Sequence, residues 1–127
     1  MVRKAKTPDV PVIQRLVNFY AQKGDLLPRT LQELYERVRE FYVFEQEGQI
    51  AGVCSLFIYW ADLAEIRSLA VEPEFEGRGI GRAVAEACLA EARDLLITRV
   101  FALTYKTAFF ERLGFRVVNK IDLPEKI

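Results

Sequence analysis

With 127 residues, 51% of them hydrophobic, and 18 basic side chains balanced by 18 acidic ones, the chain is long enough to enclose a core and too apolar to stay disordered. Zero net charge with dispersed Lys and Arg argues against a nucleic-acid partner, and no apolar run approaches the roughly 18 residues of a membrane span. A chain without histidine also lacks the commonest general base and the commonest metal ligand.

The N-terminal MVRKAKTPDV has basic residues but no apolar segment behind them, so it does not read as a secretory signal. A short strand is expected at Val2–Lys6, followed by Thr7 as an N-cap. Val12, Leu16, Phe19 and Tyr20 then recur at helical spacing until Gly24. DLLPRT is a loop, and Thr30 with Glu33 forms a capping box for a second helix, LQELYERVREF. FYVFEQEGQIAGVCSLFIYW reads as two strands turning at Glu47-Gly48, and Asp62–Val71 as a third, central strand because it is mostly apolar.

A helix is expected next, to about Leu96, with Ile80, Val84, Ala87, Cys88 and Leu95 facing the core. After it come a strand at Thr98–Tyr105, a short helix in KTAFFERLGF closed by Gly114, and a last strand in FRVVNKIDL. Cys54 and Cys88 read as small core residues in a reducing, cytoplasmic setting; neither has partners at metal-ligand spacing, so no metal is expected. Without repeats, linkers or low-complexity segments, the order predicts one α/β (α+β) domain over residues 1–127.

LAVEPEFEGRGIGRAVAEACLAEA places Gly77, Gly79 and Gly81 between a strand and a helix. Each costs roughly 0.5–1 kcal/mol relative to alanine in an ordered element, so something is expected to approach the backbone there. A glycine-rich turn at a helix N-terminus offers unpaired N–H groups beside the positive end of the helix dipole, which suits phosphate. A P-loop does not fit, because Arg82-Ala83 stands where Lys and a hydroxyl belong. A dinucleotide fingerprint fits poorly, since the spacing is Gly-x-Gly-x-Gly and Arg82 takes the final glycine position. A tight turn needed only for packing remains the alternative.

AEIRSLAVEPEFEGRGIGRAV, followed one strand later by FFERLGF, resembles the GCN5-related N-acetyltransferase family, and the resemblance extends over almost the whole chain. It implies that family's acyl-CoA N-acyltransferase fold, a mixed central sheet flanked by helices, with acetyl-CoA as co-substrate. It places the pantetheine arm along Leu69, Ala70 and Val71 and the pyrophosphate against the amides of Gly77, Arg78, Gly79, Ile80, Gly81 and Arg82. Phe109 and Phe110, in the second motif, are implied beside the cofactor. Glu76 stands where the family usually has Gln or Arg, a departure that weakens one polar contact and leaves the backbone nest intact.

For the chemistry, the resemblance implies a backbone N–H near Leu69 that polarises the thioester carbonyl. It implies Glu65, at the start of the cofactor strand, as the base working through water, with Asp62 a weaker candidate; an exposed strand-end carboxylate is the alternative. Phe110 stands where many members carry the tyrosine that protonates the departing thiolate. A thiol of pKa about 8.5 leaves far more easily than an amine, so acid help is dispensable. Tyr105 is a candidate substitute, with an ordinary buried or rim tyrosine as the alternative.

AEIRSLAVEPEF, VFALTYKTAFFERLGF and NKIDLPEKI are similar to the acetyltransferase domain of bacterial N-acetylglutamate synthases. The resemblance implies a short, stand-alone form without the amino-acid-kinase domain and its regulation by arginine, and a domain that ordinarily continues past Ile127. It implies acetyl transfer to the α-amine of L-glutamate by direct attack in a ternary complex, the first step of arginine biosynthesis. Homodimers are common in the family, and the residues leave that open. Two carboxylates on the acceptor call for cations, preferably Arg. Arg29 on the DLLPRT loop, Lys106 after Leu-Thr and Arg67 on the cofactor strand are the candidates, each with a solvated surface charge as its alternative. Two other readings stay open: transfer to another amino acid or small amine, and a CoA-binding regulatory module with weak catalysis.

Overall fold

A near-continuous apolar segment, buried from Ile50 to Leu56, builds the centre of the sheet. In the computed structural model, which describes residues 1–118, β1 (Val2–Lys4) pairs antiparallel with β2 (Phe41–Gln46). The latter turns through Glu47 and Gly48, both with left-handed φ (53° and 78°), into β3 (Gln49–Trp60). Left-handed conformation at both central residues is what a two-residue hairpin needs to match strand twist. β4 (Leu63–Val71) pairs antiparallel with β3, and β5 (Arg99–Phe101) pairs parallel with β4, giving the order β1-β2-β3-β4-β5. This is the mixed sheet expected from the sequence.

Helices cover both faces. On one side α1 (Val10–Gln22) and α2 (Leu31–Glu36) bury Val10, Ile13, Leu16, Val17, Tyr20 and Leu34 against Phe41, Val43, Val53 and Ala70. On the other, α3 (Ile80–Asp94) buries Val84, Cys88 and Ala92 against Cys54, Leu56, Ala64 and Ile66, with Phe110 of α4 (Thr107–Arg112) in the same cluster. Each large apolar side chain fully withdrawn from water contributes about 1.5–3 kcal/mol, so the two clusters hold the layers on the sheet. Cys54 and Cys88 are free, buried thiols in the second cluster; desolvation, then their mutual contact, pushes the Cys54 thiol up, which leaves it inert.

Several local expectations are corrected. Thr7 is not the N-cap: residues 7–9 form a 3-10 turn, and the Asp9 carboxylate accepts the Lys6 backbone N–H (2.7 Å). The same carboxylate binds the Arg3 guanidinium (2.8 Å), which holds its pKa below the usual carboxylate range and ties β1 to the start of α1. Phe19 is exposed because the buried stripe of α1 runs through Val17 and Tyr20 at i, i+3 and i, i+4 spacing. The second helix stops at Glu36, where Arg37 leaves helical geometry before a separate 3-10 turn at Val38–Glu40. Leu95 lies outside α3 and is exposed, since the chain turns there with Leu96 left-handed. The strand expected over Thr98–Tyr105 is confined to Arg99–Phe101, after which the chain leaves β4. Residues 115–118 form no strand, and the rest of FRVVNKIDL and of NKIDLPEKI lies outside the described residues.

Gly52, which carries no motif, sets how closely α3 approaches the sheet. A Cβ there would lie 2.6 Å from Ile80 Cγ2, the first side chain of α3. Gly52→Ala therefore forces the helix start outward, and overpacking of this kind costs about 1–3 kcal/mol. Urea unfolding should show a lower midpoint with an unchanged slope; an unchanged midpoint would mean that this contact does not seat α3.

Candidate active site

β4 and β5 stay together only through Leu63↔Arg99, Ala64↔Val100 and Glu65↔Phe101. From Ile66 onward β4 has no partner strand on that side among the described residues. A bulge follows two residues further on. The β3–β4 register steps from Val53↔Ala70 to Ser55↔Arg67, so Ser68 and Leu69 together face Cys54. Ser68 takes a left-handed φ of 55°, a conformation that costs a non-glycine residue on the order of 1–3 kcal/mol. The bulge also switches the alternation: Ala64 and Ile66 pack toward α3, whereas Ala70, of the same parity, packs toward α1.

A cavity of about 460 Å³ occupies the opening. It is walled by Glu65–Leu69 of β4, the 24–29 loop, the 102–106 segment after β5, and Phe110. It therefore brings together Arg29, Glu65, Arg67, Leu69, Tyr105, Lys106 and Phe110, and a small-molecule site commonly has this size. Asp62 is not among its walls; it pairs with Arg99 (3.2 Å) beyond the other end of β4.

Arg29 is only 8% exposed. The 24–29 loop is pinned to α1, since the Arg29 N–H donates to Asn18 Oδ1 (3.0 Å) and its carbonyl accepts from Gln14 Nε2 (3.2 Å). The guanidinium donates through Nε to Glu33 (2.8 Å) and through Nη1 to Ser68 Oγ (2.8 Å). Its Nη2 is buried with no partner among the described residues. An unmade buried donor costs about 1–3 kcal/mol, a deficit that an anion in the cavity would remove.

Glu65 is 5% exposed, so it is not a solvated strand-end carboxylate. Its Oε1 accepts from Arg67 Nε (2.8 Å) and from the Tyr59 hydroxyl (2.9 Å), which in turn accepts from Arg67 Nη2 (2.7 Å). Oε2 accepts nothing among the described residues. Tyr59 reaches Glu65 from a second bulge, where β3 fits one extra residue between Ile58↔Ala64 and Trp60↔Leu63. Arg67 stacks 3.8 Å from the Phe57 ring centre; burial pulls its pKa down, but the hydrogen-bonded Glu65 carboxylate and Tyr59 outweigh that and the net shift is upward. Lys106 is exposed, 5.6 Å from the Tyr20 ring centre, and forms no ion pair among the described residues. Tyr105 stands at the rim, 88% exposed. Phe110 is buried edge-on between Phe109 and Phe115.

The glycine turn lies at the start of α3. Gly77 and Gly79 have φ of 78° and 79°, and none of the N–H groups from Gly77 to Arg82 donates to a backbone carbonyl among the described residues; the helix ladder begins with Ala83 to Gly79 (3.0 Å). Converging free N–H groups at a helix N-terminus suit a pyrophosphate. The neighbouring side chains turn elsewhere: Arg78 lies over Phe75 (5.1 Å), Arg82 pairs with Glu86, and Glu76 lies 3.1 Å from the Tyr20 hydroxyl. That hydroxyl also donates to the Val71 carbonyl at the far end of the open β4 edge. Burial, then Glu76, pushes its pKa up to about 12, so it keeps its proton. Phe109 lies near Gly81, whose added Cβ would come 3.6 Å from the ring. Among the described residues no group of three His, Cys, Asp or Glu side chains could hold a metal.

Three residues of the site have no motif to announce them. The only signals for Ser68 and Tyr59 are a polar residue inside an apolar strand and a break in alternation, and Tyr20 reads as an ordinary helix-face aromatic.

Residues 12–115 match the family model described as the acetyltransferase (GNAT) family. The chain is 48% identical to the amino-acid acetyltransferase of Mycobacterium tuberculosis over 94% of this chain and 70% of that one. It is 39% identical to an uncharacterised N-acetyltransferase of Chlorobaculum tepidum over 99% and 81%, respectively. The crystal structure of N-acetylglutamate synthase from Neisseria gonorrhoeae, complexed with coenzyme A and N-acetyl-glutamate, superposes with a TM-score of 0.92 at 32% identity. That match covers 98% of this chain but 30% of the synthase, so it concerns one part of a longer protein.

The turn can be tested by two alanine substitutions followed by calorimetric titration with CoA. Gly79→Ala puts a side chain on a left-handed residue and should weaken CoA binding about tenfold, equivalent to ~1.4 kcal/mol. Gly81→Ala meets nothing closer than 3.4 Å and should leave the fold intact. Unchanged affinity in Gly79→Ala would make the glycines purely structural.

Proposed function

The chain belongs to the acetyltransferase (GNAT) family and is an acetyl-CoA-dependent N-acetyltransferase, and from that premise we propose that it acetylates the α-amine of L-glutamate. The observation that supports this reading is the buried Nη2 of Arg29, without a partner among the described residues, on a side chain that lines the same cavity as Glu65. The kinship to the Neisseria gonorrhoeae synthase supports the same acceptor. On this reading residues 1–127 form one cytoplasmic N-acetyltransferase domain that catalyses the first step of arginine biosynthesis, with homodimerisation open.

Acetyl-CoA supplies an acyl thioester already activated toward an amine. The chain's own contribution is to align and to move a proton. The free edge of β4 from Leu69 to Val71 holds the pantetheine arm, the amides of Gly77 to Arg82 hold the pyrophosphate, and a bulge N–H near Leu69 polarises the carbonyl. Glu65 accepts the amine proton through water at Oε2, while Arg67 and Tyr59 keep Oε1 fixed. Arg29 takes one carboxylate of the acceptor and Lys106 the other. Phe110 has no proton to give, so the thiolate departs on its own low basicity, with Tyr105 at the rim as a phenol able to assist.

One observation favours a second reading. Arg29 and Arg67 each already hold a carboxylate, Glu33 and Glu65, which leaves less positive charge for a second acceptor carboxylate. An amino acid with a neutral side chain fits that balance.

Release of CoA thiol from acetyl-CoA, measured with glutamate, glutamine, aspartate and polyamines, separates the readings. Glutamate should drive release most strongly; a clear preference for glutamine would select the second reading, and polyamines alone would sink both. Arg29→Ala should raise the acceptor KM at least about tenfold and the acetyl-CoA KM less than about twofold. Equal effects on both would remove Arg29 from the acceptor pocket.

A further inference from the structure

Ser68 is the one residue in the middle of β4 with a left-handed φ (55°), and it stands three residues beyond the last β4–β5 pair, Glu65↔Phe101. Glycine or asparagine would hold that conformation more easily. The side chain that occupies it instead is bonded: Ser68 Oγ accepts from Arg29 Nη1 at 2.8 Å. Glu33 takes the Nε of the same guanidinium at 2.8 Å. Two edges of a planar fork are thereby fixed, and the fork has one orientation left. In that orientation Nη2 is the donor without a partner among the described residues, in a residue that lines the cavity beside Ser68 and Leu69.

Resting on the acceptor reading above, we infer that Ser68 is a positioning residue that sets the acceptor relative to the acyl group. Its backbone makes the bulge in the unpaired stretch of β4, which re-aims the strand there, and its hydroxyl holds the arginine that receives the acceptor's carboxylate. One residue thus registers both reactants. An amino acid bound through Arg29 inherits its distance from the Leu69 backbone from the Ser68–Arg29 bond. Glu33, 43% exposed at its side chain, cannot fix that orientation alone, because a single bond at Nε leaves the guanidinium free to tilt away from the cavity.

Ser68→Ala and Ser68→Gly separate the hydroxyl from the backbone. Both remove Oγ, but only glycine relieves the left-handed strain. With whichever amino acid supports the fastest thiol release in the unmodified protein, both should raise the acceptor KM five- to tenfold and leave the acetyl-CoA KM within twofold. Ser68→Asn, which tolerates positive φ and offers an amide oxygen to Arg29, should recover part of the loss. An acceptor KM unchanged in Ser68→Gly would overturn the inference in favour of a purely conformational role, as would a matched rise in both KM values. A second readout does not depend on the acceptor. In ¹⁵N NMR the Arg29 Nη groups should give separate, slowly exchanging signals that merge in Ser68→Ala; signals that stay separate there would also overturn it. If no amino acid drives release, the acceptor reading fails, and the NMR result alone decides whether Ser68 orients Arg29.

Discussion

β4 keeps β5 as a neighbour for three residue pairs and then gives it up, and the site follows from that parting. A strand in the middle of a sheet normally spends every backbone donor and acceptor on its neighbours. Here β5 stops pairing after Glu65↔Phe101, and the extra residue at Ser68–Leu69 then turns the pleat against β3. The backbone beyond it becomes available to a ligand while the rest of β4 remains anchored to β3. The cost is local, a left-handed serine, and the surrounding contacts hold it: Ser55 Oγ donates to the Arg67 carbonyl (3.0 Å), and Arg29 donates to Ser68 Oγ.

The cofactor side needs proximity more than charge. Arg78 and Arg82 lie next to the glycine turn, but one stacks on Phe75 and the other pairs with Glu86, which leaves the backbone N–H groups, unbonded to backbone carbonyls among the described residues, as the donors an anion would meet on the proposed reading. Their position depends on how deeply α3 sits, which the missing side chain of Gly52 permits by letting Ile80 pack onto β3. The loss of the usual Gln or Arg at residue 76 is compatible with this arrangement, since Glu76 faces the Tyr20 hydroxyl instead.

The acceptor side is governed by charge balance inside a half-enclosed space. Arg29 and Glu33, and Arg67 and Glu65, are paired before any substrate arrives, which limits the desolvation penalty that an isolated buried charge would carry. The pairing is incomplete in two informative places. Among the described residues Arg29 retains one unused donor and Glu65 one unused acceptor, the complementary groups that a carboxylate and an ammonium-derived proton require.

Much of this was legible in the residues themselves. The hairpin at Glu47-Gly48, the existence of β4, the helix after the glycines and the family-level motifs are local patterns that survive without tertiary information, whereas the central place expected for β4 belongs to β3. Arg29, Glu65 and Lys106 were also visible, because motif spacing carries a residue to a position in the fold even when its neighbours are unknown. The helix breaks at Arg37 and after Asp94 were not visible, since nothing in apolar periodicity marks where tertiary contact stops supporting a helix. Nor were the bulges at Ser68 and Tyr59. A bulge is a mismatch between two strands, and each strand alone looks regular. The sequence by itself determined the elements, the glycine turn and the stock of charges. Only the tertiary structure decided which charges meet, because register between strands and the tilt of one guanidinium depend on residues tens of positions apart.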